Sequence, residues 1–398
     1  MDNENAKKRG HGDGCITQQK DGRWVARIQI GKTHDGKPKV KALYGKTEPE
    51  VRKKLREYKK VMAQGINEAI KMTVSQYIER WLINYKQNSL KPASYDRMES
   101  VLNNYIKNTI GIYQMGNLTS NDTQKLINEK SKTLSYSSVK KIIELLRPCF
   151  KHAVLVGDLN KNPCDAISLP RQSSMVVKTK TIDILTDTEI DIIRKSADHI
   201  TDKKSHKHKH APVFVLILNT GIRCGEALAL QWSDIDLDKN VIHVSRSASI
   251  IKNRSVTDES SNKTLTIITD TKTVNSDRYI PINKTALNAL NQIREYNKYY
   301  GISTNYVVSN DKGEMVNERN LQRTLDRILL NGMGEHYKHH GIHALRHTMG
   351  SLLLSKGKAD IKVVSEILGH SNINLTYNKY IHIIKEQKAK ALEGLDIM

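Results

Sequence analysis

The stretch Gly341-Ile-His-Ala-Leu-Arg-His-Thr348 places a histidine and an arginine three residues apart in a segment with helical spacing. His343 and Arg346 therefore share one face of the predicted helix. Apolar residues supply the contacts that hold this helix in a domain: Leu345, Met349, Leu352 and Leu353. We expect a packed helix that presents an imidazole and a guanidinium to one site.

A second segment, Thr220-Gly-Ile-Arg-Cys-Gly-Glu226, places an arginine and a glutamate three residues apart. Gly221 permits a tight turn before a helix that apolar residues anchor in the core. The carboxylate of Glu226 can then hold the guanidinium of Arg223 in position. Taken alone, this pair is an ordinary helix salt bridge.

Two segments near the end of the sequence add a histidine and a tyrosine. In Ile367-Leu-Gly-His-Ser371, Gly369 can end a helix and present His370 outward. Tyr380 follows ten residues later, in Tyr377-Asn-Lys-Tyr-Ile-His382. A turn at 275–277 places Lys272 near a predicted hairpin tip. Two arginines, one lysine, two histidines and one tyrosine form a set that suits a phosphodiester.

The charge of the chain favours a polyanionic partner. The 398 residues include 64 Lys and Arg against 42 Asp and Glu, a net charge of +22. Nucleic acid is the first candidate partner and an anionic membrane the second. The membrane is disfavoured because the longest apolar run, at 213–218, falls far short of the ~20 residues of a spanning helix. No signal peptide is readable at the N-terminus.

Cofactors and metals are not expected. No G-x-x-x-x-G-K-[ST] motif is present. The histidines of 203–210 alternate with lysines, which repel a cation, so we interpret this run as a solvated loop rather than a metal site. The four cysteines are widely spaced, which argues against a disulfide scaffold or zinc ribbon and fits a cytoplasmic protein.

Five motifs in order carry a resemblance to a known family: T-G-x-R-x-x-E, T-K-T-x-x-S-x-R-x-I-P, H-x-L-R-H-T, L-G-H and Y-x-H. This order is similar to that of the tyrosine recombinase (phage integrase) family, over the whole catalytic domain. The resemblance is greatest to conjugative-transposon and prophage integrases. The N-terminal module resembles their arm-binding domain, and the helical region after it resembles their core-binding domain.

The resemblance implies roles for the catalytic residues. Arg223 and Arg346 would clamp the non-bridging oxygens of the scissile phosphate, and Tyr380 would be the nucleophile that forms a 3′-phosphotyrosine. Many members place this tyrosine nine residues after the L-G-H histidine rather than ten. Tyr377 is the alternative, but it lacks the following x-His.

The remaining roles concern protons and positioning. Lys272 would be the general acid that protonates the departing 5′-oxygen. His343 and His370 would assist by hydrogen bonding and proton handling, with His343 as the base. Glu226 would position Arg223, and His347 would be structural or support the other residues. His339 and His340 are interpreted as loop residues.

The expected fold class is α+β and multidomain. A small three-stranded sheet plus helix (1–70, the arm-type DNA-binding domain) precedes an all-α core-binding bundle (71–170). A basic linker (171–181) leads to a mainly α catalytic domain with a small antiparallel sheet (182–398). In the first domain, strand alternation in 24–30 predicts one packed face and one polar face. The expected arm-site contacts on the polar face are Arg27, Gln29, Lys39 and Lys41.

The expected partner is double-stranded DNA, bound at core and arm attachment sites. The protein would be a monomer when free and a homotetramer on DNA, exchanging strands through a Holliday junction, with an excision accessory protein and no cofactor. Three alternatives remain: a Xer-like resolvase of chromosome or plasmid dimers, a catalytically silent DNA-binding protein, and a type IB topoisomerase.

Overall fold

The computed structural model describes residues 15–19, 21–32, 38–63, 71–177, 182–198, 208–255, 263–270 and 276–381. The chain divides into two compact units, Met1–Thr179 and Lys180–Met398. The described residues form helices and small antiparallel sheets, so the predicted α+β class is confirmed. The predicted boundary at residue 70 lies outside the described residues, and so do residues 178–181 of the predicted linker. The domain limits therefore stay predictions.

The first unit begins with the predicted small sheet and helix. Its elements are β1 (Cys15–Gln18), β2 (Trp24–Lys32), β3 (Pro38–Gly45) and α1 (Glu48–Ala63). The strands are antiparallel with β2 in the centre. Ala26 and Ile28 of β2 pack with Val51 and Leu55 of α1, because strand alternation and helical spacing each place apolar side chains on one face.

The strand register corrects the predicted polar face. Arg27 is exposed and pairs with Ala42, whereas Lys41 pairs with Ile28, a residue of the packed face. Directly paired residues point to the same side of a sheet, so Arg27 and Lys41 lie on opposite faces. Val25, which strand alternation places on the same face as Arg27, is fully buried. The side chains of Gln29 and Lys39 lie outside the described ones.

A helical bundle follows in the same unit. It contains α2 (Val74–Trp81), α3 (Pro92–Val101), α4 (Ser120–Thr133) and α5 (Tyr136–Leu155). Thr73 and Thr119 begin α2 and α4 with reciprocal capping boxes. The aromatic residues Trp81 and Phe150 are buried in its core, as their helical spacing predicts. The buried hydroxyl of Thr123 donates to the carbonyl oxygen of Pro163 at 2.8 Å.

The second unit contains most of the predicted chemistry. Its helices are α6 (Asp187–Asp198), α7 (Ala211–Thr220), α8 (Cys224–Ala229), α9 (Lys284–Tyr299), α10 (Glu318–Met333), α11 (His343–Ser355) and α12 (Ile361–Ile367), and residues 373–381 are also helical. Helix α7 is apolar around most of its circumference and therefore packs in the centre, against α6, α9 and α11. No described helix is long and apolar enough to cross a bilayer.

Two small sheets lie beside these helices. One contains β4 (Ile235–Asp236), β5 (Val241–Val244) and β8 (Arg278–Pro281), and the other is a two-stranded ribbon of β6 (Arg246–Lys252) and β7 (Thr264–Asp270). The structure does not form the predicted hairpin between the two strands that flank Lys272. The flanking strands β7 and β8 pair with β6 and β5, not with each other, so the segment of Lys272 connects two sheets. Lys272 itself lies outside the described residues.

Gly221→Ala is expected to destabilise the chain more than Gly301→Ala. Both glycines have nearly the same left-handed backbone (φ +65° and +63°), so alanine adds similar strain of about 1 kcal/mol at each. A Cβ at 221 would lie 2.2 Å from Cε of Met349, whereas nothing lies within 4 Å at 301. Cε ends a flexible side chain, so Met349 can shift, and overpacking should cost Gly221→Ala a further ~1 kcal/mol, the lower end of the usual range. Thermal unfolding of the full chain measures the difference; equal losses of Tm would contradict this packing of α7 against α11.

Candidate active site

Three arginines converge on the C-terminal end of α12. They donate to three consecutive carbonyl oxygens: Arg278 Nε to Ile367 at 2.8 Å, Arg346 Nη2 to Leu368, and Arg223 Nη2 to Gly369 at 2.8 Å. The last carbonyls of a helix have no partner within the helix and carry the negative end of its dipole. Cationic donors are therefore favourable here, and the three guanidinium groups are gathered at one place.

Glu226 holds two of these arginines from the opposite side. Its Oε1 accepts from Arg223 Nη1 at 2.6 Å, and its Oε2 accepts from Arg278 Nη2 at 2.9 Å. The carboxylate is 3% exposed. Burial alone would raise the pKa of Glu226, but the hydrogen bonds and charges of Arg278 and Arg223 more than offset it, so the pKa is lowered. Glu226 is therefore a charged anchor, as expected for a residue that positions Arg223.

Arg346 is the most buried of the three arginines, at 1% exposed. Its Nη1 donates to the carbonyl oxygen of Gly221 at 2.6 Å. Within the described part of the chain it forms no ion pair with a carboxylate. Burial, together with the nearby charge of Arg223, lowers the pKa of Arg346 to about 9. A buried cation held only by carbonyl oxygens is costly, and an incoming anion would reduce that cost.

Three histidines surround this cluster. His343 and His347 lie one turn apart on α11 with ring centroids 5.0 Å apart, and Nδ1 of His370 lies 2.7 Å from Oγ1 of Thr376. Burial is the main cause that lowers the pKa of His343 to about 4 and those of His347 and His370 to about 3. The charges of Arg346 and Lys379 act in the same direction. All three rings are therefore neutral near pH 7.

Tyr380 is fully buried beside the arginines. It packs with Met349, Leu354, Val364 and Leu368, and its hydroxyl lies 3.4 Å from Nδ1 of His347. Burial raises the pKa of the phenol to about 12, and the charge of Arg346 opposes that rise. A Cβ at Gly350 would lie 2.4 Å from the phenolic oxygen, so only glycine leaves room for this packing. Tyr377 is 37% exposed.

A cavity of about 360 Å³ opens next to the arginines. Arg223, Glu226 and His370 line one part of it, and the ribbon β6–β7 lines another with Ser247, Ser249 and Thr269. Guanidinium, imidazole and hydroxyl groups are the donors that bind phosphate oxygens. The cavity therefore has the chemistry of a phosphate site.

The structure gathers five of the six predicted residues: Arg223, His343, Arg346, His370 and Tyr380. Sequence reasoning missed Arg278 and Lys379 and gave His347 only a structural or supporting role. Arg278 stands in the quoted T-K-T-x-x-S-x-R segment, and His347 follows Arg346, so adjacency to the motifs was their available signal. Lys379 precedes Tyr380, and its pKa is lowered by burial and by the charges of Arg346 and Arg223.

His340 lies in a loop, as expected, but it is buried there. Its ring is 1% exposed, with Nε2 2.9 Å from Oε1 of Glu189 and Nδ1 2.9 Å from Oδ2 of Asp183. His339 is exposed and lies 2.9 Å from Asp326. Among the described residues no group of three or more His, Cys, Asp or Glu could hold a metal ion. Most of the predicted loop at 203–210 lies outside those residues.

The site histidines predict a loss of stability in mild acid. Their folded pKa values of about 3 to 4 lie below the ordinary value of 6.5, so the unfolded chain binds more protons in this interval. The free energy of unfolding should fall as the pH drops from about 6.5 towards 4. His347→Asn should weaken this dependence, and the exposed His336→Asn should not. Urea unfolding at pH 7.5, 6.0 and 5.0 measures the free energy of unfolding at each pH. An equal loss of that free energy between pH 7.5 and 5.0 in His347→Asn and in the parent chain would contradict the assignment.

Comparisons with known proteins identify the family of the chain. The phage integrase family model matches residues 184–387, and the model of the phage integrase N-terminal SAM-like domain matches residues 73–131. A tyrosine recombinase XerC-like protein of Caldanaerobacter subterraneus subsp. tengcongensis is 34% identical over 386 residues, which cover 93% of this chain and 94% of that relative.

Two solved structures share the fold. The Tn1549 transposon integrase in complex with transposon right end DNA has a TM-score of 0.65 at 23% identity, over 82% of this chain and 100% of that one. A lambda integrase tetramer bound to a Holliday junction has a TM-score of 0.54 at 14% identity, over 94% and 96% of the two chains. The protein therefore belongs to the phage integrase family of tyrosine-type site-specific recombinases.

Proposed function

We infer that this recombinase is the integrase of a mobile element, which cuts and rejoins double-stranded DNA through a 3′-phosphotyrosine. The observation that carries this proposal is the cluster of Arg223, Arg278 and Arg346 at one helix end, beside a buried tyrosine. The six-residue set predicted from the motifs supports it. The family relatives supply the precedent for DNA as substrate, since the related Tn1549 structure contains transposon DNA.

The phosphate would be bound by Arg223 and Arg346. A guanidinium has five N–H donors, and each of these arginines uses its two Nη atoms to reach the protein. Donors remain for two non-bridging oxygens of one phosphate. Their charge would stabilise the pentacovalent transition state, where negative charge develops on those oxygens.

Cleavage would be a transesterification. The phenolic oxygen of Tyr380 forms a bond to phosphorus while the bond from phosphorus to the 5′-oxygen breaks. Lys272 would give a proton to that 5′-oxygen. The phenolic proton would pass to an imidazole: His343 is the base that the motifs predict, and His347 is the ring within 3.4 Å of the phenol. The reverse reaction with the 5′-hydroxyl of another strand completes the exchange and conserves the bond energy.

Tyr380 has to leave its buried position before this reaction. Its side chain is 0% exposed, so no DNA phosphate can reach the phenolic oxygen in this conformation. The helical segment 373–381 that carries it would move relative to α11 and α12. Arg346, at 1% exposed, is covered as well, whereas Arg223 lines the cavity. The described structure would thus be a resting site in which the same movement has to expose both Arg346 and the tyrosine.

The assembly proposed here follows the family. The enzyme would act in the cytoplasm as a tetramer on a Holliday junction, with residues 1–70 on arm sites and an excision accessory protein. A Xer-like resolvase is the second candidate, because the XerC-like relative is 34% identical. The two differ in substrate rather than chemistry: an integrase recombines an element with its target, and a resolvase separates replicon dimers.

Tyr380→Phe should abolish the covalent protein–DNA adduct and leave DNA binding intact. The probe is a pool of nicked duplexes with random core sequence in EDTA, from which SDS-resistant adducts are enriched and sequenced. Tyr377→Phe is the matched control and should keep forming the adduct, because Tyr377 is partly exposed on the same helix. An adduct that survives Tyr380→Phe would assign the nucleophile elsewhere.

Deletion of residues 1–70 should remove binding to arm sites while the enriched core duplex is still cleaved.

Binding of the full chain should weaken with salt, with a log–log slope of about −0.9 per phosphate contacted. The net charge of +22 is the reason for expecting a steep slope. Fluorescence anisotropy at 50–300 mM salt measures it, and a flat response would contradict binding through phosphates.

A further inference from the structure

A buried histidine lies in the loop that leads into α11. His340 is 1% exposed, and Nε2 of its ring lies 2.9 Å from Oε1 of Glu189, a residue that is 3% exposed. Nδ1 lies 2.9 Å from Oδ2 of Asp183, but outside the angular range of a hydrogen bond. A carboxylate accepts hydrogen bonds, so Nε2 of His340 donates to Glu189. The ring is therefore held chiefly by one buried carboxylate.

Glu189 is itself fixed at the start of α6. Its Oε2 accepts from the backbone N and the hydroxyl of Thr186 at 2.8 and 2.9 Å, and the Thr186 hydroxyl accepts from the backbone N of Glu189 at 3.3 Å. This reciprocal capping box satisfies backbone donors at a helix start, where negative charge is favourable. One carboxylate oxygen thus caps α6, and the other is aimed at the loop before α11.

The chain just before α6 contacts α11 a second time. The backbone N of Leu185 donates at 2.8 Å to Oγ1 of Thr348, which is 2% exposed and lies in the second turn of α11. His343 and Arg346 lie in the sequence between the two points of contact. A helix that is held at two points along its length cannot slide or rotate without breaking one of them, so these contacts fix where the two site residues lie.

The first turn of α11 needs such support. The helix begins at His343, and its N-cap, Ile342, provides no side-chain hydrogen bond to the first turn. Gln322 of α10 holds the loop only by its backbone: it accepts from the N of Ile342 at 2.9 Å and donates to the carbonyl oxygen of His340 at 2.8 Å. The contact with Glu189 is the one that fixes the loop through a side chain.

We propose that His340 and Glu189 are positioning residues for the recombination reaction: their buried hydrogen bond fixes the first turn of α11 and thereby places His343 and Arg346 for the scissile phosphate. This inference rests on the proposed function. Both residues are buried, so they act through α11 rather than on DNA. Their contact involves no residue of the segment 373–381, so the proposed movement of Tyr380 leaves it intact. A misplacement of site groups by about 1 Å can cost about a hundredfold in rate.

The test varies how far a polar side chain at 340 can reach. The amide of His340→Gln can take the place of Nε2 and donate to Glu189, whereas the shorter amide of His340→Asn cannot. Glu189→Asp keeps the charge and the cap of α6 but withdraws the carboxylate from the ring. His339→Asn is the matched control, because His339 is the exposed neighbour in the same loop and faces another carboxylate, that of Asp326.

Adduct formation by the full chain is timed at saturating concentrations of the enriched nicked duplex. DNA affinity and thermal unfolding are measured separately for each variant. The double variant His340→Asn with Glu189→Asp completes a cycle that tests whether the two residues act through their mutual contact.

The parent chain, His340→Gln and His339→Asn should form the adduct at similar rates. His340→Asn and Glu189→Asp should each slow it by about tenfold or more at unchanged DNA affinity, as for misplaced site groups. The double variant should be no slower than the slower single variant.

Parent rates in both single variants, with or without a lower Tm, would overturn the proposal and leave the pair a role in stability alone. Losses that multiply in the double variant would overturn it too. A parent chain that forms no adduct would instead refute the proposed function.

Discussion

The site depends on the electrostatics of one short helix end. Helix α12 ends at Ile367, and its last carbonyl oxygens need donors that the helix cannot supply. Arg223, Arg278 and Arg346 satisfy them, and these three come from three different elements. The helix end thus gathers like charges that would otherwise repel one another. Glu226 neutralises only part of that charge, so the assembled cluster remains strongly positive.

Positive charge and burial together define the resting state. Neutral histidines are consistent with it, since the same cations that would bind a phosphate disfavour a proton on each ring. Arg346 has no carboxylate partner in the described part of the chain, and its burial is the least compensated feature of the site. A phosphate would supply the missing negative charge. We therefore expect the arginine cluster to bind an external anion such as a phosphate.

Local patterns predicted much of this from the sequence. The spacing of Arg223 and Glu226 fixes their contact because both lie within one helical turn, and Gly369 was expected to end α12. Contacts within a turn need no knowledge of the fold, which is why these predictions are confirmed.

Long-range contacts were not predictable in the same way. The pairing of Lys41 with Ile28 depends on strand register, which alternation alone does not fix. Arg278 reaches Glu226 across 52 residues, and His340 reaches Glu189 across 151. The burial of Tyr380 depends on the absent side chain of Gly350, a residue that belongs to no motif. The three-dimensional arrangement, rather than residue type, decides each of these features.

The short connection after α12 limits how far Tyr380, the proposed nucleophile, can move. Gly369 is tied to Arg223, and regular helix resumes at residue 373, so few residues can extend. The four steps from Gly369 to residue 373 span roughly 14 Å when stretched, and the helix from 373 to 380 adds about 11 Å. While this helix stays folded, Tyr380 can reach only positions within the sum of these two lengths from Gly369. A phosphodiester that it attacks must therefore lie within that distance of Gly369 and of Arg223, which is bonded to it. If Tyr380 of one subunit attacked DNA bound by another subunit, that DNA would have to lie within the same distance of Gly369.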